Sequence, residues 1–469
     1  MPDQLTAVVA RWTLLPSPSG GVEAAEDVTV LVRGNRVEDV VRGRVVEADR
    51  RIELPHGVVL PGFVNLHNHA LNGPVFRGIV DDVGAGTPGG VAADAIVYGL
   101  LLPLGDLASE VLTDDELRAV YRLAVLELLR SGTTSVLDMP RAQHHGFLDA
   151  ASELGLRLFA APYIFSTPSR GLDDRGRPRY DDIDEDASLA AALAVADRYD
   201  EGPGGRTRVG FGPHATDTCS PRLLRRIAAL AAERDTFVTI HVAQSRNEVE
   251  RVRARHGRTP VEYLHDTGLL GPRTVVAHGV YVEDGDLDLL RDSGTTLAHC
   301  PLTFARSGVT VAFERFHRAG VRTGIGTDAY RFDHFGELRA AGLIAKLTSG
   351  DGAVADAPTL LAAATSTGGA ALGGHTGRIE PGRLADLIGV DLSAPHLQPV
   401  RDPLRNLVWN ATPADVAFVM ADGRMVVDGG TVAGCDERRV VDEAAAAVDR
   451  LWHAAEAAGV LPPIERTPA

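Results

Sequence analysis

The sequence predicts an α/β chain: a (β/α)8 TIM barrel carrying a small β-sandwich domain built from both chain ends. Three observations predict it. Eight short apolar runs between residues 58 and 327 alternate with helical stretches. The candidate metal ligands, His and Asp residues, stand at the ends of the first, fifth, sixth and eighth of these runs. A closed barrel brings those ends to one mouth, whereas an open doubly wound sheet would spread them apart. Finally, strand-like segments punctuated by Gly, Pro and Asn stand near both ends of the chain.

The elements follow in order. Leu5–Trp12, Val28–Arg33, Val37–Val41 and Arg51–Leu54 read as strands, and Ala385–Asp391, Val416–Ala421 and Arg424–Asp428 repeat the pattern. Asp422-Gly423 between the last two is a hairpin signal. Residues 1–57 and 379–435 are therefore assigned to the small domain, 58–378 to the barrel, and 436–469 to an Ala-rich helix and tail. Barrel strands are expected at 58–66, 134–139, 157–163, 207–213, 236–241, 273–278, 295–299 and 321–327. Helices are expected between them, among them Asp114–Arg130, Ser220–Arg234, Glu283–Asp292 and Glu337–Lys346. The Gly-rich Val83–Gly90 stretch reads as a lid over the mouth.

Composition excludes several classes. A net charge of −16 lacks the basic face that nucleic acid or an anionic membrane requires. Cys219, Cys300 and Cys435 are odd in number and far apart, which excludes a disulfide framework and a Cys-rich zinc module and fits a reducing cytoplasm. No secretory leader and no bilayer-spanning apolar stretch is read. No Gly-x-Gly-x-x-Gly follows a strand and there is no P-loop, so nucleotide cofactors are not indicated.

The chemistry begins at Val58-Val59-Leu60-Pro61-Gly62-Phe63-Val64-Asn65-Leu66-His67-Asn68-His69. Residues i and i+2 of a strand point the same way, so His67 and His69 reach one ion from one strand end. Strand 5 ends in His241, strand 6 in His278 and strand 8 in Thr327-Asp328. Three imidazoles and a carboxylate around one divalent ion suit Zn2+, and after it Fe2+, and leave a position for water. The ion lowers the pKa of that water, and a carboxylate touching both accepts the proton.

Pro61-Gly62-Phe63-x-x-x-His67-x-His69, His241, His278 and Thr327-Asp328 resemble the amidohydrolase superfamily, in particular its mononuclear branch of guanine, cytosine and S-adenosylhomocysteine deaminases and triazine hydrolases. Further matches are Gly132–Met139, Pro213-His214 with Thr218-Cys219-Ser220, His299-Cys300-Pro301 and Glu380–Leu387. No Lys of the kind that bridges two metals follows strand 4, so one ion is implied. The resemblance implies His67, His69, His241 and Asp328 as metal ligands, Asp328 also as proton acceptor, and His278 as the group that polarises water or stabilises an oxyanion. A hydrogen-bonded core histidine is the alternative for His278. His214 matches a substrate-contacting histidine, and His299 stands between that role and the core. His144, His145, His256, His265, His317, His334, His375 and His396 are set aside as surface or core residues.

The pattern breaks at Gln244. Deaminases of this branch carry a Glu there that protonates the ring and the departing ammonia; Gln has no such proton. Glu248, one turn further on, is one replacement to test. Arg77, Phe304 and Arg306 are read as substrate-binding residues at the mouth, Phe304 stacking on a planar ring and Arg306 facing an anionic or carbonyl group. The function expected is metal-dependent hydrolysis of a carbon–nitrogen bond: deamination of a small triazine, purine, pyrimidine or pterin-like heterocycle. Gln244 keeps two rivals open: cyclic-amide hydrolysis or displacement of a non-amine leaving group, and a catalytically silent metal-loaded binding protein. Barrel hydrolases of this kind often form homodimers, which makes a homodimer the assembly to test.

Overall fold

The computed structural model describes residues 4–17, 21–43, 47–79, 95–174, 176–202 and 204–461; the expected Val83–Gly90 lid lies outside them. Eight parallel strands carry the α/β core, here β1 Phe63–Asn68, β2 Thr133–Asp138, β3 Arg157–Ala160, β4 Thr207–Val209, β5 Val238–Val242, β6 Thr274–His278, β7 Thr296–His299 and β8 Arg322–Ile325. They pair in chain order as two four-stranded parallel sheets, β1 to β4 and β5 to β8. Isolated parallel bridges, Phe211 with Val238 and Ala215 with His241 at one seam and Asn68 with Asp328 at the other, link the two sheets. Helices such as His145–Leu154, Glu185–Tyr199, Pro221–Glu233 and Asp284–Ser293 separate the strands. This is the order of a TIM barrel. β1, β2, β5 and β6 are buried at every position, as parallel strands covered on both faces must be.

Local chemistry sets the helix ends. Thr113 and Glu116 form a capping box that starts Asp114–Arg130. Ser220 accepts from Leu223 N and Pro221 occupies the first turn of Pro221–Glu233. Gly257, Gly294 and Gly350 end their helices in the left-handed conformation.

Outside the barrel lies one nine-stranded sheet contributed by both chain ends. Its central strand, Arg50–Pro61, runs parallel to Leu5–Pro16 and antiparallel to Leu387–Asp391. Val58–Pro61 were expected to open the first barrel strand; they belong to this outer sheet instead. The chain changes sheets at Gly62, where an added Cβ would lie 2.1 Å from Thr134 Oγ1, so only glycine lets it pass. Both halves of the run are equally apolar and buried, so hydrophobicity could not mark the switch. The helix Glu437–Ala457 buries Val440, Ala444, Ala447, Val448 and Leu451, and Trp452 Nε1 donates to Val75 O at 2.8 Å. Among the described residues no helix is long and apolar enough to cross a membrane.

Candidate metal centre

Five side chains meet where β1, β5, β6 and β8 end. His67 lies within β1 and His69 one residue past its end, on the same side of the strand. His241 lies in β5, His278 closes β6, and Asp328 follows β8. Single ligand atoms of His67, His69 and His241 lie within 4.8 Å of one another, as do those of His67, His278 and Asp328. Asp328 Oδ1 is 3.6 Å from His67 Nε2 and 3.4 Å from His69 Nε2, and the Nε2 atoms of His69 and His241 stand 3.2 Å apart.

The tautomers favour a cation. His241 Nδ1 lies 2.5 Å from the carbonyl of His214, which can only accept. Nδ1 therefore carries the proton and the Nε2 lone pair faces the centre. His69 Nδ1 meets the Tyr163 hydroxyl at 3.2 Å, which leaves its Nε2 for the same point. Both nitrogens of His67 and Nδ1 of His278 are buried without a hydrogen-bond partner. Buried polar atoms left so cost about 1–3 kcal/mol each, and an ion would remove that cost at one nitrogen of His67. Burial, then the charge of neighbouring histidines, holds His67, His69 and His278 well below the usual imidazole range, and burial brings His241 down to about 4. All four are neutral at pH 7, the form that ligates metal. Burial pushes the Asp328 carboxyl up to about 7; a divalent cation beside it favours the carboxylate.

A polar staple holds these ligands in place. Asn65 Nδ2 donates to Thr327 Oγ1 at 2.7 Å, and Asn65 Oδ1 accepts from Thr327 N at 3.1 Å. Thr327 Oγ1 donates to Asn68 Oδ1 at 3.0 Å. Asn68 Nδ2 and Ala70 N both donate to Asp138 Oδ2 at 2.7 Å. β1, β2 and β8 are thereby locked together around His67, His69 and Asp328. His278 and Asp328 sit at φ +77° and +55°, a left-handed conformation that costs about 1–3 kcal/mol outside glycine and concentrates at functional sites. Sequence reasoning missed Asn65, Asn68 and Asp138; the available signal was an Asn inside a fully buried strand.

A cavity opens above the centre. His69, His241, His278 and Asp328 line it, with His67 beneath, and His214, Gln244 and Phe304 form part of its wall. The Phe304 ring stands 4.9 Å from that of His278 at 70°. His214 is buried, its Nδ1 2.9 Å from Thr218 Oγ1. Gln244 is 3% exposed, and its Nε2 has no protein partner.

One expectation needs correction, and two residues left open are placed. Arg77 does not reach the mouth: it pairs with Glu127 on an outer groove, because the chain turns outward after Asn72–Val75. Arg306 is exposed and stacks 4.7 Å over the ring of Tyr330, which itself lines the cavity. Glu248 does not replace the missing acid. Its buried carboxylate accepts from Ala243 N at 2.9 Å, Gln244 N at 2.7 Å and the Thr216 hydroxyl, clamping the turn that presents Gln244. His299 packs between Phe313 and Phe316 in the core. In the other direction, His144 and Arg141 line the cavity, although His144 had been set aside and Arg141 not singled out. Nothing local marks either one, since the loop after β2 carries several polar residues and only folding selects those that face inward.

A parallel barrel that gathers neutral imidazoles and a carboxylate at the C-terminal ends of its strands has the make-up of a metal-dependent hydrolase. The chain belongs to the amidohydrolase family, whose model matches residues 58–426. Among curated relatives it is 34% identical to the 5-methylthioadenosine/S-adenosylhomocysteine deaminase of Haloarcula marismortui, over 85% of this chain and 88% of that one. It is also 34% identical to the 5'-deoxyadenosine deaminase of Methanothermobacter thermautotrophicus, over 92% and 96% of the two chains. Among solved structures, a zinc-bound adenosine deaminase from Xanthomonas campestris superposes with a TM-score of 0.82 at 26% identity, covering 96% of this chain and 98% of that chain.

Proposed function

We propose that this protein is a zinc-dependent aminohydrolase that removes the amino group from a small nitrogen heterocycle, a purine ahead of the triazine, pyrimidine and pterin-like rings. The observation that carries the reading is the set of neutral His67, His69 and His241 with Asp328 at the floor of a cavity lined by His214, Gln244 and Phe304. The purine preference rests on the adenosine-type substrates in the names of the relatives. The same reading takes the terminal strands as a β-sandwich domain and the protein as cytoplasmic and homodimeric. With a net charge of −16, neither nucleic acid nor a membrane is a partner.

His67, His69, His241 and Asp328 would hold the ion. Bound there, zinc lowers the pKa of water and so supplies a nucleophile near neutral pH. Asp328 accepts the water proton and passes it onward. His278, neutral and facing the same point, stabilises the oxygen that adds to the ring. Gln244 directs its free Nε2–H at an acceptor on the ring, and Phe304 covers one side of the pocket.

The test is ammonia release by zinc-loaded protein across aminated heterocycles. Release is expected from at least one purine and is lost in His67→Ala. No release from any compound, with one ion bound per chain, would sink the reading.

Gln244 supports a second reading, displacement of a group other than an amine, because a better leaving group needs no acid at this position. Gln244→Glu separates the two. If deamination is native, the change is expected to leave ammonia release within about tenfold, since the site already works without the acid. A gain of more than about 100-fold at unchanged metal content would favour the second reading.

A further inference from the structure

The turn that presents Gln244 is strained and is held from behind. Ala243 sits at φ +48°, in the left-handed region that a non-glycine residue adopts only when its surroundings impose it. Glu248 supplies the near half of that hold, through Ala243 N and Gln244 N. The far half ends on Tyr98, a fully buried residue of the helical turn Ala95–Leu101.

The Tyr98 hydroxyl donates to Asp217 Oδ2 at 2.9 Å and meets Ser245 Oγ at 3.4 Å. Its one proton goes to Asp217, so the Ser245 hydroxyl is the donor in the second contact. Burial, and after it the charge of Asp217, raises the Tyr98 pKa well above the usual phenol range, so the hydroxyl keeps that proton. Ser245 Oγ also accepts from Glu248 N at 3.0 Å, and Thr216, next to Asp217, donates to the Glu248 carboxylate. Tyr98 thereby ties both neighbours of Glu248, the Thr216-Asp217 segment after β4 and Ser245 after β5, to a third part of the chain. Asp217 is itself anchored: Tyr180 donates to its Oδ2 at 2.6 Å and Arg251 Nε to its carbonyl at 3.1 Å. Its Oδ1 has no partner among the described residues, so the two phenols are the side chains that hold this carboxyl. Tyr98, Ser245 and Glu248 are 0% exposed and Asp217 4%, and the reaction proposed above uses none of them.

We propose that Tyr98 is a positioning residue for Gln244: through Asp217 and Ser245 it fixes the turn at Ala243, so that the Gln244 side chain faces the substrate. This rests on the aminohydrolase reading above and adds to it the group that orients Gln244.

A double-mutant cycle tests the inference. In zinc-loaded protein, Tyr98→Phe is expected to lower kcat/KM by about 10- to 100-fold on the purine that releases ammonia fastest, the scale of a side chain misplaced by about 1 Å, at unchanged zinc content. In the Gln244→Ala background the same change is expected to cost less than about threefold, because the group it positions is already gone. Equal losses in the two backgrounds would put the effect in the cavity wall formed by Ile96 and Val97, and overturn the inference. Asp217→Asn takes the place of Tyr98→Phe in the cycle if the latter does not fold. Hydrogen exchange on the same zinc-loaded proteins gives a reading that needs no turnover. The amides of Ala243 and Gln244 are expected to exchange about 5- to 10-fold faster in Tyr98→Phe, the worth of one hydrogen bond, while those of Glu437–Ala457 keep their rates. Acceleration confined to the turn upholds the hold on Gln244 even if no heterocycle is deaminated. Unchanged exchange, or equal acceleration in both segments, overturns it whatever the fate of deamination.

Discussion

Asp328→Asn is expected to lower kcat by about 10²- to 10⁴-fold, the range associated with losing a positioned general base. Asn keeps the size of Asp and one side-chain oxygen, but it cannot take a proton from water at neutral pH. The backbone gives no reason for the variant to misfold. Position 328 has φ +55°, a region that Asn enters as readily as Asp. The interactions that fix the backbone here also survive, because they run from main-chain atoms: His69 N to Asp328 O at 3.0 Å and Asp328 N to His67 O at 2.9 Å. Zinc content should therefore fall less than in His67→Ala, while turnover falls as far. Steady-state kinetics beside metal analysis and a melting curve decide it. A kcat within threefold of the parent would remove Asp328 from proton transfer.

Arg157→Ala is expected to destabilise the protein by about 3–5 kcal/mol, as when one partner of a buried ion pair is deleted. Arg157 belongs to β3, yet its side chain reaches out of the barrel to the outer sheet. Nε donates to Asp386 Oδ2 at 2.8 Å, Nη2 to Asp386 Oδ1 at 3.3 Å and to Asp422 Oδ1 at 3.1 Å, and Nη1 to Gly205 O at 3.0 Å. The Arg157 and Asp386 side chains are 2% and 0% exposed. Alanine would leave the Asp386 carboxylate buried beside a void, with only the backbone N–H of Asp422 still donating to it. Chemical denaturation measures the loss. A loss below about 1 kcal/mol would mean that water enters and solvates Asp386, and that this pair does not weld the two layers together.

The two residues illustrate what was legible and what was not. Asp328, His67, His69, His241 and His278 could be picked out because each ends an apolar run, and a parallel barrel puts all its strand ends at one mouth. Arg157 carries no such mark. Its partners lie 229 and 265 residues away, and an Arg within a strand reads as an exposed edge until the outer sheet is seen to cover it. The Asn65–Thr327 bond, across 262 residues, is of the same kind. Arg77 failed in the opposite direction. It follows site residues closely in the chain, yet nearness along a loop does not fix direction, and Glu127 holds it elsewhere. Glu248 has the acid that Gln244 lacks, but three donors from the β4 and β5 loops turn it away from the cavity.

Strand alternation, apolar runs and the identity of the residues that close them are local properties, so the order of elements and the metal-ready side chains were readable along the chain, while the departure at Gln244 was read from the resemblance to the deaminases. The sheet change at Gly62, the staple behind the ligands, the inward turn of Arg141 and the outward turn of Arg77 belonged to the folded molecule. Each depends on a partner hundreds of residues away or on a loop direction, and such contacts are chosen by burial and hydrogen-bond satisfaction over the whole structure.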